Sequence, residues 1–392
     1  MYSLSVLPLD VQLEFTPASE EQFFSAIPQR SGIYLIETRA APGSAAAQPY
    51  LARTADLRRA AERLLRPPDG TSKRLNLREV AEKFRYRLTG SRFEQSLAIY
   101  QQAREHFPAN YRGFLRLRPV PLLKVNLRTS YPRCYVTRRI LGDGGYYFGP
   151  FASRQQAESF ANQFLDLFKI RRCQIKIRRD PAFPGCIYSE MKMCLAPCFA
   201  GCTKEEYDRE VSRVVETLES AGASLSGGIE REREVASEAQ DFERAATLHK
   251  KIEKVSGVLR GLPELARRVD NLHAVVIQRG AAESTVAIFG VVGGEISDPL
   301  FLNFDQQASE PRSVEEILRR HFEELSSDEQ GPPGAAPMPK DEGTEREEHL
   351  AILARWYYSN PRDGEILFRE GDWPYRRILR ACARVLAAGN PA

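Results

Sequence analysis

Residues 171–202 read RRCQIKIRRDPAFPGCIYSEMKMCLAPCFAGC and hold five of the seven cysteines in a chain of 392 residues. The spacing is Cys173-x12-Cys186-x7-Cys194-x3-Cys198, with Cys202 a further x3 on. Disulfides are rare in reducing compartments, so a local cluster of this kind points to metal. Four thiolates suit tetrahedral zinc or an iron–sulfur cluster, and both stay open on spacing alone. Pro184, Gly185 and Pro197 supply turns beside the thiols. Buried free thiols acting as small apolar residues are the alternative. Cys134 and Cys382 lie apart and read as core thiols.

Working outward, residues 111–180 carry 15 Lys and Arg against four acids, a local excess of +11 in a chain whose net charge is only +4. Tyr131, Tyr135, Tyr146, Tyr147, Phe148 and Phe151 are interleaved with it. Cations gain by releasing counterions from phosphates, and aromatic rings stack on bases. Arg128, Arg133, Arg138, Arg139, Arg171 and Arg172 are therefore candidate DNA-binding residues. A solvated basic face is the plainer reading. With 42% hydrophobic and 28% charged residues the composition is that of a globular protein. No uncharged apolar run approaches the roughly 18 residues of a membrane span. The first 15 residues lack the basic start of a secretory signal, so the expected address is the cytoplasm.

The pattern along the chain predicts an α+β protein. Residues 1–28 read as a lead-in, 29–115 as a first domain, and 116–205 as a basic segment ending in the cysteine module. Ser31–Glu37 is β-type, 40–48 a flexible loop and Tyr50–Ala52 a second short strand. Asp56 is placed to cap a helix over Leu57–Arg66. Phe84–Leu88 reads as a third strand, Ser91–Phe107 as a helix stopped by Pro108, and 152–168 as a helix. Residues 206–260 are helical, with a break expected at Ser224–Gly228. Then come a β-rich region, 261–325, a disordered linker, 326–344, and a C-terminal helical region, 345–392, around a short strand at Glu365–Phe368. The five histidines are scattered and form no ligand spacing.

Four motifs carry a family resemblance. Gly32-Ile33-Tyr34 followed by Tyr50-Leu51-Ala52-Arg53 resembles the paired signature of GIY-YIG nucleases. Tyr147-Phe148-Gly149-Pro150-Phe151 resembles the YFGP segment of UvrC, the excision-repair nuclease subunit. Arg172-Cys173, Gly185-Cys186 and Cys194-Leu-Ala-Pro-Cys198 resemble its cysteine motif, and Asp241–His249 its UVR motif. The order of the motifs is the family's. The layout is closest to shortened, Cho-type homologues and also resembles the UvrC-like half of certain exonuclease fusions. The family's C-terminal RNase-H-like nuclease and helix-hairpin-helix domain are not expected here.

The resemblance implies a small GIY-YIG-like mixed sheet with flanking helices, a cysteine-cluster module, a UVR helical hairpin at about 224–259 and a C-terminal α/β region. It implies a [4Fe–4S] cluster on Cys173, Cys186, Cys194 and Cys198, with zinc as fallback. It implies double-stranded DNA and the UvrB protein as partners, UvrB through Phe242, Glu243, Ala246 and Leu248. In the nuclease motif Tyr34 and Tyr50 match the family's tyrosines and Arg53 stands at its lysine. The phosphate-binding arginine falls on Ala60 and the metal glutamate on Ile99. Glu94 and Glu105 are the nearest acids, and five helical steps rotate about 140° off the original face. Tyr34, Tyr50 and Arg53 then form an incomplete catalytic remnant. The expected function is a UvrC-like repair protein with a degenerate nuclease. An active Cho-type endonuclease using Mg²⁺ or Mn²⁺ and a stand-alone metal-cluster nucleic-acid-binding module are the alternatives.

Overall fold

The computed structural model describes residues 7–39, 48–68, 74–307, 313–327 and 340–388. Three antiparallel sheets organise them. The first unit runs β1 (Val11–Glu14), α1 (Glu20–Ala26), β2 (Gly32–Thr38), β3 (Tyr50–Thr54), α2 (Leu57–Leu65), β4 (Ala81–Leu88) and α3 (Arg92–His106). Its strand order is β1-β4-β2-β3 and every pairing is antiparallel, so the expected mixed sheet is not formed. β1 pairs with β4, and Phe15, Phe23 and Phe24 join the core beside Tyr34 and Phe84. The expected lead-in is therefore part of this domain. Asp56 caps α2 by accepting the Arg59 N–H at 3.0 Å, as its position predicts. The loop at 40–47 lies outside the described residues.

Side chains alternate faces along a strand. Tyr34 and Ile36 point into one core with Leu57, Ala60, Ala61 and Leu64 of α2. Ile33, Leu35 and Leu51 point the other way, against Ala98, Ile99 and Ala103 of α3. The second face of α3, Phe93, Leu97 and Tyr100, packs against the C-terminal sheet. A helix covered on both sides needs no polar stripe. That is why nine consecutive or near-consecutive residues from Phe93 to Ala103, Gln101 and Gln102 among them, are buried.

The middle unit begins after α4 (Tyr111–Leu115) with β5 (Leu122–Val125), β6 (Cys134–Thr137) and β7 (Tyr146–Gly149), then α5 (Arg154–Leu165). The cysteine module holds one short helix, α6 (Ile187–Glu190), and leads into α7 (Lys204–Glu219), whose Thr203 and Glu206 close a capping box. Two long helices follow, α8 (Ala223–Glu238) and α9 (Phe242–Leu259). The expected break at Ser224–Gly228 is helical. The chain turns instead at Ala221 and Gly222, both with positive φ. A Cβ on Gly222 would meet Leu259 at 2.1 Å, so only glycine fits where the α7–α8 turn touches the end of α9. β8 (Arg267–Arg268) returns to extend the middle sheet beside β7.

The last unit contains β9 (Ala274–Arg279), β10 (Thr285–Val292), β11 (Glu295–Ile296), β12 (Leu300–Asn303), α10 (Phe304–Gln307), α11 (Val314–Ser327), α12 (Lys340–Tyr357), β13 (Glu365–Phe368) and α13 (Tyr375–Ala387). β13 pairs with β9 in one sheet with β10, β11 and β12, antiparallel at every pairing. The regions expected at 261–325 and 345–392 are thus one α+β unit rather than an α/β layout. Within the region expected to be β-rich, residues 314–325 are helix. Of the expected linker, 328–339 lies outside the described residues, and helix borders it on both sides. Glu348 of α12 accepts from Tyr100, Tyr111 and Arg112 at 2.8, 2.7 and 2.5 Å, which ties the first and last units through a satisfied buried network. Gly90 sits so close to Gly280 that a Cβ there would meet the Gly280 carbonyl carbon at 2.2 Å. Among the described residues no helix is long and apolar enough to cross a membrane.

Candidate functional site

The cysteine module is built with little regular structure. Gly185, Lys192, Ala196 and Ala200 take positive φ and fold the backbone back on itself. The Asp180 N–H donates to the Cys198 carbonyl at 2.9 Å, and Leu195 N–H to the Lys169 carbonyl at 2.9 Å. These turns bring four thiols within one another's electrostatic reach: Cys173, Cys186 and Cys198 all act on Cys194. Burial, the largest cause, pushes the Cys194 thiol up to about 11, while the Ala196 N–H aimed at its sulfur from 3.3 Å pulls the other way. Burial likewise raises Cys198, opposed by the Phe199 N–H. Among the described residues no three Cys, His, Asp or Glu side chains are gathered tightly enough to hold a metal ion as they stand. By its chemistry the donor set suits a thiophilic centre: four thiols that act on one another electrostatically, with N–H groups aimed at the sulfurs of Cys194 and Cys198. Cys202 faces away. It packs in the middle core with Tyr207, and Cys198 is the one cysteine that acts on it. Cys134 and Cys382 are buried core thiols, as their isolation suggests.

The six candidate DNA-binding arginines separate into two kinds. Arg171 is buried, and its guanidinium donates to the carbonyls of Tyr131 (2.7 Å), Ile175 (2.9 Å) and Cys173 (3.2 Å). Arg172 is largely covered and pairs with Asp166 at 2.7 Å. The buried Nε of Arg172 has no hydrogen-bond partner among the described residues, whereas Arg171 is consumed by the fold, which corrects its expected role: a buried guanidinium needs its donors met. Sequence shows an arginine beside a cysteine; only the tertiary path of 126–133 shows that its donors are taken. Arg128, Arg138 and Arg139 are exposed, and Arg133 lies over the Tyr135 ring at 4.2 Å. Arg133 and Arg138 flank β6, about 17 Å of extended chain apart. Tyr207, not singled out in the sequence, locks the module to the sheet: its hydroxyl donates to the Pro132 carbonyl at 2.7 Å and accepts the Arg171 N–H at 2.9 Å.

In the first unit Tyr34 and Tyr50 have ring centroids 6.2 Å apart. Arg63 and Tyr50 both reach the Tyr34 hydroxyl. Burial chiefly, then the neighbouring Tyr50, push that hydroxyl up to about 12, and Arg63 opposes them. Arg63, one helical turn beyond Ala60, is the cation beside this pair; its i+3 position puts it on the same helix face. Arg53 does not belong to this group. It pairs with Ile33 and so projects on the opposite face of the sheet, where its charge is felt by Arg355. Ile99 is also on that opposite face, 8% exposed among Leu7, Leu9, Ile33 and Leu35. The sheet thus separates Tyr34 and Tyr50 from both Arg53 and position 99.

Glu94 is buried beside Arg87 at 3.9 Å and accepts the Gly90 N–H at 2.8 Å. Desolvation dominates and raises its pKa from 4.5 to about 7, with Gly90 and Arg87 opposing. The native state therefore holds this proton more tightly than the unfolded chain. The stability it lends is full below about 4.5 and is lost as pH rises through about 7. Glu94→Gln, which keeps an acceptor for Gly90, is expected to remove that loss and leave the variant more stable than the parent at pH 8. Denaturant midpoints measured from pH 5 to 8 check this; parallel curves for the two proteins would contradict it.

In the helical hairpin, Phe242 opens α9 and is 70% exposed. Glu243 and Ala246 are exposed beside it, and Val235 of α8 is exposed too. Leu248 is buried in the chain's own middle core with Val255 and Val258, which corrects its assignment to a partner surface.

Residues 120–217 match the family model described as the UvrC/Cho excinuclease middle domain. The segment starts at the edge of β5 and ends within α7, enclosing the middle sheet's first three strands and the cysteine module. The UvrABC system protein C of Dehalococcoides mccartyi is 26% identical over 273 residues, 69% of this chain and 44% of the relative. That of Carboxydothermus hydrogenoformans is 26% identical over 277 residues, 70% and 45%. That of Clostridium tetani is 24% identical over 343 residues, 86% and 52%. The chain thus spans about half the length of the curated relatives it matches. No solved structure matches it. The middle-domain match and the breadth of these similarities make the chain similar to UvrC proteins over most of its length.

Proposed function

We propose that this chain is a nucleotide-excision-repair protein of the UvrC type that works in the cytoplasm, binds double-stranded DNA and UvrB, and does not itself cut. The observation that carries the reading is the exposed end of the hairpin. Phe242, Glu243, Ala246 and Val235 are presented to solvent by helices whose opposite faces are anchored through Leu248, Val255 and Val258 of α9 and Leu225, Ile229 and Ala236 of α8. A two-helix face with an aromatic at its tip and an acid beside it has the form of a hot spot awaiting a matching hairpin. In this reading Arg128, Arg133, Arg138 and Arg139 track phosphates from the middle sheet. Cys173, Cys186, Cys194 and Cys198 hold a [4Fe–4S] cluster, or zinc in its place, which staples the module that carries them.

Binding of the purified chain to UvrB, measured by calorimetry, tests the reading. Phe242→Ala is expected to cost at least tenfold in affinity, the range of about 1.4 kcal/mol or more typical of an aromatic anchor. Its thermal midpoint should be unchanged. Leu248→Ala is expected to lower the midpoint through the cavity it leaves, by about 2–5 kcal/mol. Unchanged affinity in Phe242→Ala, or no UvrB binding by the parent with DNA binding intact, would turn the assignment toward a stand-alone nucleic-acid-binding module. A working nuclease dependent on Mg²⁺ or Mn²⁺ is the second reading. What favours it is the Tyr34–Tyr50–Arg63 group on one face of the sheet.

A further inference from the structure

The cysteine module displays apolar side chains where a structural staple would have none. Ile187 is 63% and Met191 61% exposed. Ile187 opens α6 and Met191 caps its end one turn on, where the Met191 N–H donates to the Ile187 carbonyl at 2.9 Å, so both occupy one face. Cys186 immediately precedes this turn and Cys194 follows it by three residues. The Ser189 hydroxyl returns to the backbone of Cys186, which fixes the start of the turn. The knob is therefore short and held at both ends.

Its surroundings are cationic. Lys192 follows Met191 directly, in a positive-φ conformation that turns the chain. Lys176, Arg178 and Arg179 lie on the ribbon 174–179, which leaves the thiol group at Cys173 and is tied back by the Asp180–Cys198 hydrogen bond. All four cations are exposed, and none makes an ion pair among the described residues. Ile175, beside Lys176, is half exposed as well. Two uncovered aliphatic side chains, with Lys192 directly beside Met191 and further exposed cations in the same module, match a polyanion with an apolar interior that can be opened. A kinked or unpaired base step has that chemistry, and aliphatic wedges enter such steps.

We propose that Ile187 and Met191 form a wedge that inserts at an unstacked base step, with Lys176, Arg178, Arg179 and Lys192 holding the flanking phosphates. The inference rests on the DNA-binding reading above and adds to it the form of DNA preferred: locally opened duplex over matched duplex. Undistorted DNA would meet the cations alone, whereas an opened step also buries the two side chains.

The test uses the full chain as purified, with its metal content, in fluorescence anisotropy against a duplex with a central bubble and its matched counterpart. Ile187→Ser/Met191→Ser is expected to lose roughly tenfold or more in affinity for the bubble, the scale of removing two buried aliphatic groups. Its affinity for the matched duplex should be unchanged. Ile187→Leu/Met191→Leu should retain the preference, and equal metal content and thermal midpoints show that the module is intact. Arg178→Gln/Arg179→Gln should weaken both duplexes and flatten the salt slope by about two. Bubble affinity unchanged in the serine variant overturns the wedge while leaving DNA binding in place. The same holds if that variant loses UvrB, or phosphatidylglycerol vesicles, instead of the bubble. A parent chain that binds neither duplex overturns the DNA-binding reading and the wedge with it.

Discussion

Cys194→Ser is expected to yield a protein without bound metal and without an ordered module between about residues 171 and 202, while the C-terminal unit stays folded. The argument is energetic. Between 171 and 202 the buried residues are Arg171, Ala196, Pro197, Cys198 and Cys202. Ordering the backbone of a residue costs about 1–2 kcal/mol, so some thirty residues cost tens of kcal/mol. One guanidinium, one alanine, one proline and two thiols do not offset that. Occupied structural metal sites contribute on the order of 10–16 kcal/mol for zinc peptides, and that contribution is folding energy. Cys194 is the thiol on which the other three converge. Metal analysis, visible absorbance and limited proteolysis of the full chain check the outcome. Cleavage should concentrate inside 171–202, leaving the core around Ile277, Phe322 and Cys382 protected. A metal-free variant that resists protease as the parent does would mean that the thiols are packing groups.

What the sequence revealed and what it concealed divide along a physical line. Local signals held where local chemistry decides the structure. Asp56 caps its helix because a short acceptor side chain before an apolar-periodic run has an orphan N–H to satisfy. Glu365–Phe368 is a strand within the bounds its pattern set. Whatever depends on what lies across a contact was hidden. Arg171 and Arg128 read alike in sequence, yet one is buried under carbonyls and the other is exposed. Ser224–Gly228 looks like a break because two glycines and two serines weaken a helix. Packing against α9 overrides that, and the chain turns at Gly222, where contact with Leu259 requires a glycine. Leu248 and Phe242 lie on one helix six residues apart, and only the fold of the hairpin onto α5 and α7 tells the inward residue from the outward one.

The same division governs the first domain, where Ile99→Glu is expected to destabilise the chain by several kcal/mol and to restore no strand cutting. Position 99 faces Ile33, Leu35, Leu51, Leu7 and Leu9, all apolar. A carboxylate placed there loses its hydration and gains no partner, so it is held neutral or disrupts the pocket. Tyr34, Tyr50 and Arg63 act on one another from the far side of β2 and β3. A metal held at 99 therefore could not share a phosphate with them through a packed sheet, whereas catalysis needs charge-stabilising groups within a few ångströms of the reacting oxygen. The residue match alone suggests a single missing ligand that one substitution would return. The alternation of side chains along the strands makes the defect one of faces, not of one residue. The check is a nicking assay on lesion-bearing duplex with UvrB and Mg²⁺ or Mn²⁺, run on the parent, Ile99→Glu and Tyr34→Phe beside their thermal midpoints. No cutting by any of the three, with a lowered midpoint for Ile99→Glu, is the expected result. Cutting by the parent that disappears in Tyr34→Phe would show that the Tyr34–Tyr50–Arg63 face finds its metal ligand elsewhere in the chain, and the domain would then be an active nuclease.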